Sequence, residues 1–211
     1  MHDLNSDSRR IVVAMTGASG SRIGLRTVRA LLEQRQQVSL LISPAGLKVL
    51  NYETGSAWQG DTTTMARTLR DYFASDRVTY FEHDDLFAPV ASGSSAPDAV
   101  VIVPCSMGTV GRIAAGMSSN LIERVADVAL KERKPLLLVP RETPLSTIHL
   151  ENLLRLSRAG ACILPAMPAY YQKPQSLEDL DDFLAGKILD SLSVPHQLFR
   201  RWGSADQDFS S

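Results

Sequence analysis

At 211 residues, the chain has the length of one domain. With 44% hydrophobic side chains it can bury a sizeable core, so folding needs neither crosslinks nor metal. Lys plus Arg number 22 and Asp plus Glu 23, a formal charge of −1, which speaks against a dedicated nucleic-acid binder with a basic face.

The polar start MHDLNSDSRR has no apolar signal core, and residues 1–9 read as a tail. Short apolar runs then alternate with helical patterns. That alternation predicts an α/β fold with a doubly wound, mainly parallel sheet, Rossmann-like and three-layered (αβα). Ile11 to Thr16 (IVVAMT) reads as a buried strand, broken by Gly17-Ala18-Ser19-Gly20 and followed by a helix ending near Glu33. Gln37 to Ser43 is the second strand, and Pro44 opens the next helix because its fixed φ suits a first turn. Val78 to Glu82 is the third strand, and the Gly/Ser/Pro-rich stretch Ala91 to Pro97 is a loop.

Ala99 to Pro104 (AVVIVP) is the most strand-like run of the chain, with an amphipathic stretch after it that ends near Lys134. Leu136 to Pro140 and Ala161 to Pro165 are the last strands. Ser176 with Asp179 three residues later forms a capping-box pattern, starting a helix through Leu192. The tail 195–211 is polar apart from Leu198, Phe199 and Trp202, which suit packing within the chain or contact between copies. No segment reaches the roughly 18 apolar residues of a membrane span. Cys105 and Cys162 lie on apolar segments outside any spaced framework, so a single-domain, cytoplasmic protein is expected.

Ligands of open parallel sheets bind beyond the carboxyl ends of the strands. Three strand ends here suit that task. Gly17 to Gly24 (GASGSRIG) puts small residues and a hydroxyl at a helix N-terminus, where free amides attract anions; it also reads as a simple tight turn. It is neither the dinucleotide glycine fingerprint nor a P-loop. Ser106, Met107, Gly108 and Thr109 offer hydroxyls and amides at the next helix start, or an ordinary cap. Arg141 and Glu142 place opposite charges at the third strand end, suited to phosphate or flavin binding and to proton transfer, or to a surface ion pair. Arg124 and Lys131 stand two helical turns apart and also read as solvated charges. Cys105, closing an apolar strand without an evident base, reads as inert. The four histidines lack metal-ligand spacing; His149 reads as packed or capping, and the acidic run Glu178 to Asp182 as a helix start.

Taken together, these segments resemble the UbiX family of flavin prenyltransferases. The resemblance runs from about Ile11 to Trp202 and is densest in TGASG, ASGSSAPDAVVIVPCS, NLIERVADVALKERKPLLLVPRETPLSTIHLENLLRL and GACILPAMPAYYQKPQS. It implies an enzyme that joins a dimethylallyl group from dimethylallyl monophosphate to N5 and C6 of reduced FMN, without metal. The prenylated FMN so formed would serve a UbiD-type decarboxylase in ubiquinone synthesis. By the resemblance, Gly17, Ala18, Ser19, Ser43, Ser106, Met107, Gly108, Thr109 and Arg141 hold FMN, while Arg124, Lys131, Tyr171 and Lys187 hold the allylic phosphate. Glu53 and Glu142, with Ser19, would manage protons, and the protein would assemble as a dodecamer with sites shared between subunits. Lys187 stands where relatives often have Arg, and Leu86, followed by Phe87, where some carry Trp. A flavin-dependent cysteine decarboxylase or a non-catalytic flavin carrier are the alternatives on similar scaffolds.

Overall fold

A computed structural model describes residues 8–201. Within them, six parallel strands form one sheet: β1 (Arg10–Met15), β2 (Gln37–Ile42), β3 (Val78–Phe81), β4 (Ala99–Cys105), β5 (Leu136–Pro140) and β6 (Cys162–Ile163). Their spatial order is β3-β2-β1-β4-β5-β6. The chain winds outward from β1 in one direction and from β4 in the other, so strand order reverses between β1 and β4. The central strands are buried on both faces, which is why they read as continuous apolar runs rather than alternating ones.

Among the described residues seven α-helices flank the sheet: α1 (Ser21–Glu33), α2 (Pro44–Thr54), α3 (Thr62–Phe73), α4 (Met107–Ala114), α5 (Leu121–Lys131), α6 (Thr147–Arg158) and α7 (Leu177–Ser191). One face carries α1, α3 and α7 on Val13, Leu40 and Val101; the other carries α4 and α5 on Val12, Val100 and Leu138. The helix α3 has no counterpart among the sequence expectations, although Met65, Leu69 and Phe73 bury one face at helical spacing and Asp61 caps it. The single amphipathic stretch expected up to Lys134 is two helices. Gly116, at φ 73°, ends the first, and Asn120 starts the second by accepting the Glu123 N–H at 3.0 Å.

The sixth strand is shorter than Ala161 to Pro165 predicts: Cys162 and Ile163 pair with β5, and past them Leu164 N–H and Ala166 N–H still reach the Leu138 and Pro140 carbonyls. Pro165 has no N–H to give. Both expected caps hold: Ser176 and Asp179 form a capping box, and His149 closes another with Ser146. The described part of the tail, up to residue 201, is pinned within the chain. Phe199 lies against Phe183 at 5.1 Å, and a Cβ on Gly186 would come within 2.5 Å of the Phe199 ring. Leu198 and Phe199 therefore pack against the core within the chain, Phe199 on α7; Trp202 lies outside the described residues.

Candidate active site

The reversal between β1 and β4 places two strand ends side by side, each running into a helix. Thr16 ties them together: its hydroxyl donates to the Pro104 carbonyl at 2.9 Å and accepts the Ser106 N–H at 2.7 Å. Ser43 caps α2 by accepting the Gly46 N–H (3.0 Å), and Ser106 caps α4 through the Thr109 N–H (3.4 Å) while bonding the Thr109 hydroxyl at 3.0 Å. Both helices thus aim their positive ends at the same space. Glycine makes that approach possible. A Cβ on Gly17 would sit 2.7 Å from the Ala45 Cβ, and one on Gly46 2.6 Å from the Met15 carbonyl oxygen.

The result is a cavity of about 430 Å³. Thr16, Gly17, Ser43, Ser106 and Thr109 line it, with His83, Arg112 and Asn120 completing the polar wall. Its size suits a cofactor site. Hydroxyls, two helix N-termini and a guanidinium, with no carboxylate on the lining, fit a phosphorylated flavin. Met107 and Ala18 are buried, and neither lines this cavity, although each is the direct neighbour of a residue that does.

Ser19 belongs to a neighbouring device. The N-terminus of α1 has no capping side chain of its own, because Gly20 (φ 111°) sits at that position. Glu53 on α2 substitutes. It accepts the Gly20 N–H at 3.0 Å and the Ser21 N–H at 2.8 Å, and also bonds the side chain of Ser19. Burial pushes this carboxyl up, but the bonds from Ser19, Ser21 and Gly20 outweigh it and hold Glu53 below the ordinary value of 4.5.

Beside the cavity, Cys105 pairs with Pro140 across the sheet, and the Arg141 N–H reaches the Cys105 carbonyl at 3.4 Å. The Arg141–Glu142 turn is thereby set next to Ser106. Both side chains are exposed, and Glu142 accepts the N–H of Thr143 at 3.0 Å. A narrower groove of about 80 Å³ runs along them, walled by Leu145, Pro165 and Met167. The Cys105 thiol points into the core, where burial pushes it up to about 12, so it is no nucleophile.

The Flavoprotein family model matches residues 1–189. A flavin prenyltransferase UbiX of Pseudomonas aeruginosa is 50% identical over 200 residues, 94% of this chain and 96% of its own length. The chain belongs to the UbiX flavin prenyltransferases. Its structure is similar to that of AnUbiX (PadA1) solved in complex with FMN and dimethylallyl pyrophosphate, with a TM-score of 0.84, 42% identity, and coverage of 93% and 98% of the two chains. It is also similar to a dodecameric FMN-dependent UbiX-like decarboxylase from Escherichia coli O157:H7, with a TM-score of 0.82, 37% identity, and coverage of 92% and 100%.

Within one copy of this UbiX-family chain, the four expected phosphate ligands do not meet. Arg124 lies in the first turns of α5, 4.0 Å from Asp127. Lys131 ends the same helix beside Gly93 and Glu132, close to where β4 begins, at the amino edge of the sheet and not at the carboxyl edge where the cavity opens. Lys187 rides on α7, on the opposite face from α5, with Asp190 3.8 Å away. Tyr171 is half-exposed, edge-on to Phe183 at 6.2 Å. Within a single chain the sheet stands between Lys131 and Lys187, the arrangement expected of a site shared between subunits. Sequence reasoning also passed over Thr16, His83, Arg112 and Asn120. The Asn120-x-x-Glu123 spacing was the readable signal for one of them, as a helix start.

Proposed function

We propose that the chain works as a single flavin prenyltransferase domain, transferring the dimethylallyl group of dimethylallyl monophosphate to N5 and C6 of reduced FMN with release of phosphate. The observation that carries this reading is the cavity at the strand-order reversal with the Arg141–Glu142 turn fixed beside it through the Cys105–Pro140 pairing. When bound, the reduced flavin supplies two nucleophilic atoms, N5 and C6. The chain's own residues do the rest. Ser43, Ser106, Thr109 and the amides of Gly17, Met107 and Gly108 bind and orient FMN, Ala18 shapes the same turn with its N–H on the Thr16 carbonyl, and Arg141 holds the rim of the flavin. Arg124, Lys131, Lys187 and the Tyr171 phenol stabilise the leaving phosphate where its charge develops, in place of a metal. Glu142 delivers a proton to that phosphate. Glu53, with Ser19, receives a proton at the flavin carbon.

Since one chain does not assemble the phosphate ligands, the site is completed between copies, in a homo-oligomer like the dodecameric relative. The product is handed to a UbiD-type decarboxylase of ubiquinone synthesis, and the two unpaired cysteines fit a cytoplasmic setting. His83, on the cavity wall, is the one feature that would serve the alternative, a flavin-dependent cysteine decarboxylase.

One incubation separates the readings: protein, reduced FMN and dimethylallyl phosphate without oxygen, followed by the mass of the released flavin. A gain of one prenyl unit is expected. An unchanged flavin, together with carbon dioxide released from a cysteinyl peptide in a parallel incubation with oxidised FMN, would favour the decarboxylase. Glu142→Gln should leave FMN binding intact and slow transfer about a hundredfold or more. Undiminished turnover would remove Glu142 from the chemistry.

A further inference from the structure

The cavity contains a cation to which neither the resemblance nor the proposed roles give a task. Arg112 stands one turn past Thr109 on α4, with its side chain 45% exposed. Its Nε is pinned to Glu123, a carboxylate only 1% exposed that also accepts the Ser119 N–H at 2.8 Å. Nη2 donates to the Thr109 hydroxyl at 3.3 Å, and Nη1 comes within 3.4 Å of where a Cβ on Gly108 would stand. A guanidinium held on two sides is oriented rather than free, and it is placed on the wall together with Ser106 and Thr109.

We infer that Arg112 makes this cavity select reduced FMN over oxidised FMN, with Glu123 as the positioning residue that aims it. The inference rests on the reading that FMN occupies this cavity. The FMN phosphate carries the same charge in both redox states, so a cation serving it favours neither. The ring system differs: oxidised isoalloxazine is neutral, whereas the reduced ring can lose its N1 proton and become an anion. A donor aimed at the ring therefore strengthens binding of the reduced form alone. Glu123 is buried at the Nε side, so the pair is neutral at long range and acts on atoms within hydrogen-bond reach. Reduced FMN is the form that reacts, and a cavity that discriminates against oxidised FMN is not blocked by it.

Removing Arg112 alone would strand a buried carboxylate and endanger folding. The main variant is therefore Arg112→Met with Glu123→Gln, accompanied by Arg112→Lys and by Glu123→Gln alone. Binding of oxidised and of dithionite-reduced FMN is measured for each without oxygen, alongside the midpoint potential of the bound flavin. The double variant should lower the preference for reduced FMN about tenfold, which for a two-electron couple is a fall of about 30 mV in potential. Arg112→Lys should lie between, and Glu123→Gln should keep a preference for the reduced form. The loss should be the same with riboflavin, which has no phosphate. Equal weakening of both redox forms, an effect that vanishes with riboflavin, or no change at all would overturn the inference. Failure of the unaltered protein to bind FMN would instead overturn the cavity reading beneath it, before any variant is made.

Discussion

Glu53 shows how one side chain can serve both architecture and chemistry. The first amides of α1 need partners, and Gly20 brings no side chain to satisfy them. A carboxylate from α2 supplies charge-assisted bonds at the positive end of the helix, and in doing so fixes the Ser19 turn next to the cavity. Glu53→Gln keeps one acceptor but loses the charge, and should cost about 1 kcal/mol of stability in chemical denaturation at neutral pH. The pH dependence has a definite sign. A carboxyl held below its ordinary value of 4.5 contributes stability that is complete above that pH and is lost as pH falls through the lower folded value. The variant's deficit should therefore shrink on acidification, and a deficit unchanged between pH 7 and pH 3 would mean that charge is not what Glu53 supplies. Such residues are only half legible in a sequence. Gly17, Ser43, Ser106 and Thr109 stand out because they follow apolar strands, whereas nothing in the pattern around Arg112 sets it apart from other polar positions on an amphipathic helix.

Among elements, the clearest linkage joins α1 to α7 across some 155 residues of chain. Arg22 pairs with Asp181 at 2.9 Å and with the exposed Glu178 at 2.6 Å, while Arg26 pairs with Asp182. The acidic run read as a helix start is that and more: it locks the last helix onto the first. Burial raises the Asp181 carboxyl in spite of Arg22, so this carboxylate is ionised at some cost. Arg22→Gln should destabilise the protein by about 1 kcal/mol at pH 7, a figure kept small because the guanidinium is partly solvated and screened. With Asp181 and Glu178 both protonated the loss should nearly vanish; Arg22 holds Glu178 below its ordinary 4.5, so urea midpoints of variant and parent should converge only as the pH falls through that lower value. Divergence there would assign the effect to packing of the arginine stem. The strands at this scale were readable because continuous Val, Ile and Leu runs suit a sheet buried on both faces. The break between α4 and α5 was not, since Gly116 shows its left-handed backbone only once folded. Nor does helical spacing tell on which face of the sheet α5 and α7 settle, and that is what separated Lys131 from Lys187.

That separation governs the whole molecule. Lys131 lies at the amino edge on one face and Lys187 on the other face, yet phosphate departure without a metal calls for cations that converge. Apolar surface points the same way: Phe87 is 100% exposed, and Leu150 and Leu154, one turn apart on α6, are half-exposed. Closed assemblies of identical copies bury such patches and bring different parts of the chain together. The test is complementation. Lys131→Ala and Lys187→Ala should each abolish most transfer when expressed alone. If a site draws its two lysines from different copies, co-expression produces some sites where the copy giving Lys131 carries only the Lys187 change, and the reverse. Random mixing at equal amounts makes about a quarter of such sites intact. Activity should return to roughly that fraction in mixed assemblies and be absent when separately assembled variants are combined without subunit exchange. If both lysines came from one chain, every site would keep one defect, and no mixture would exceed the better single variant.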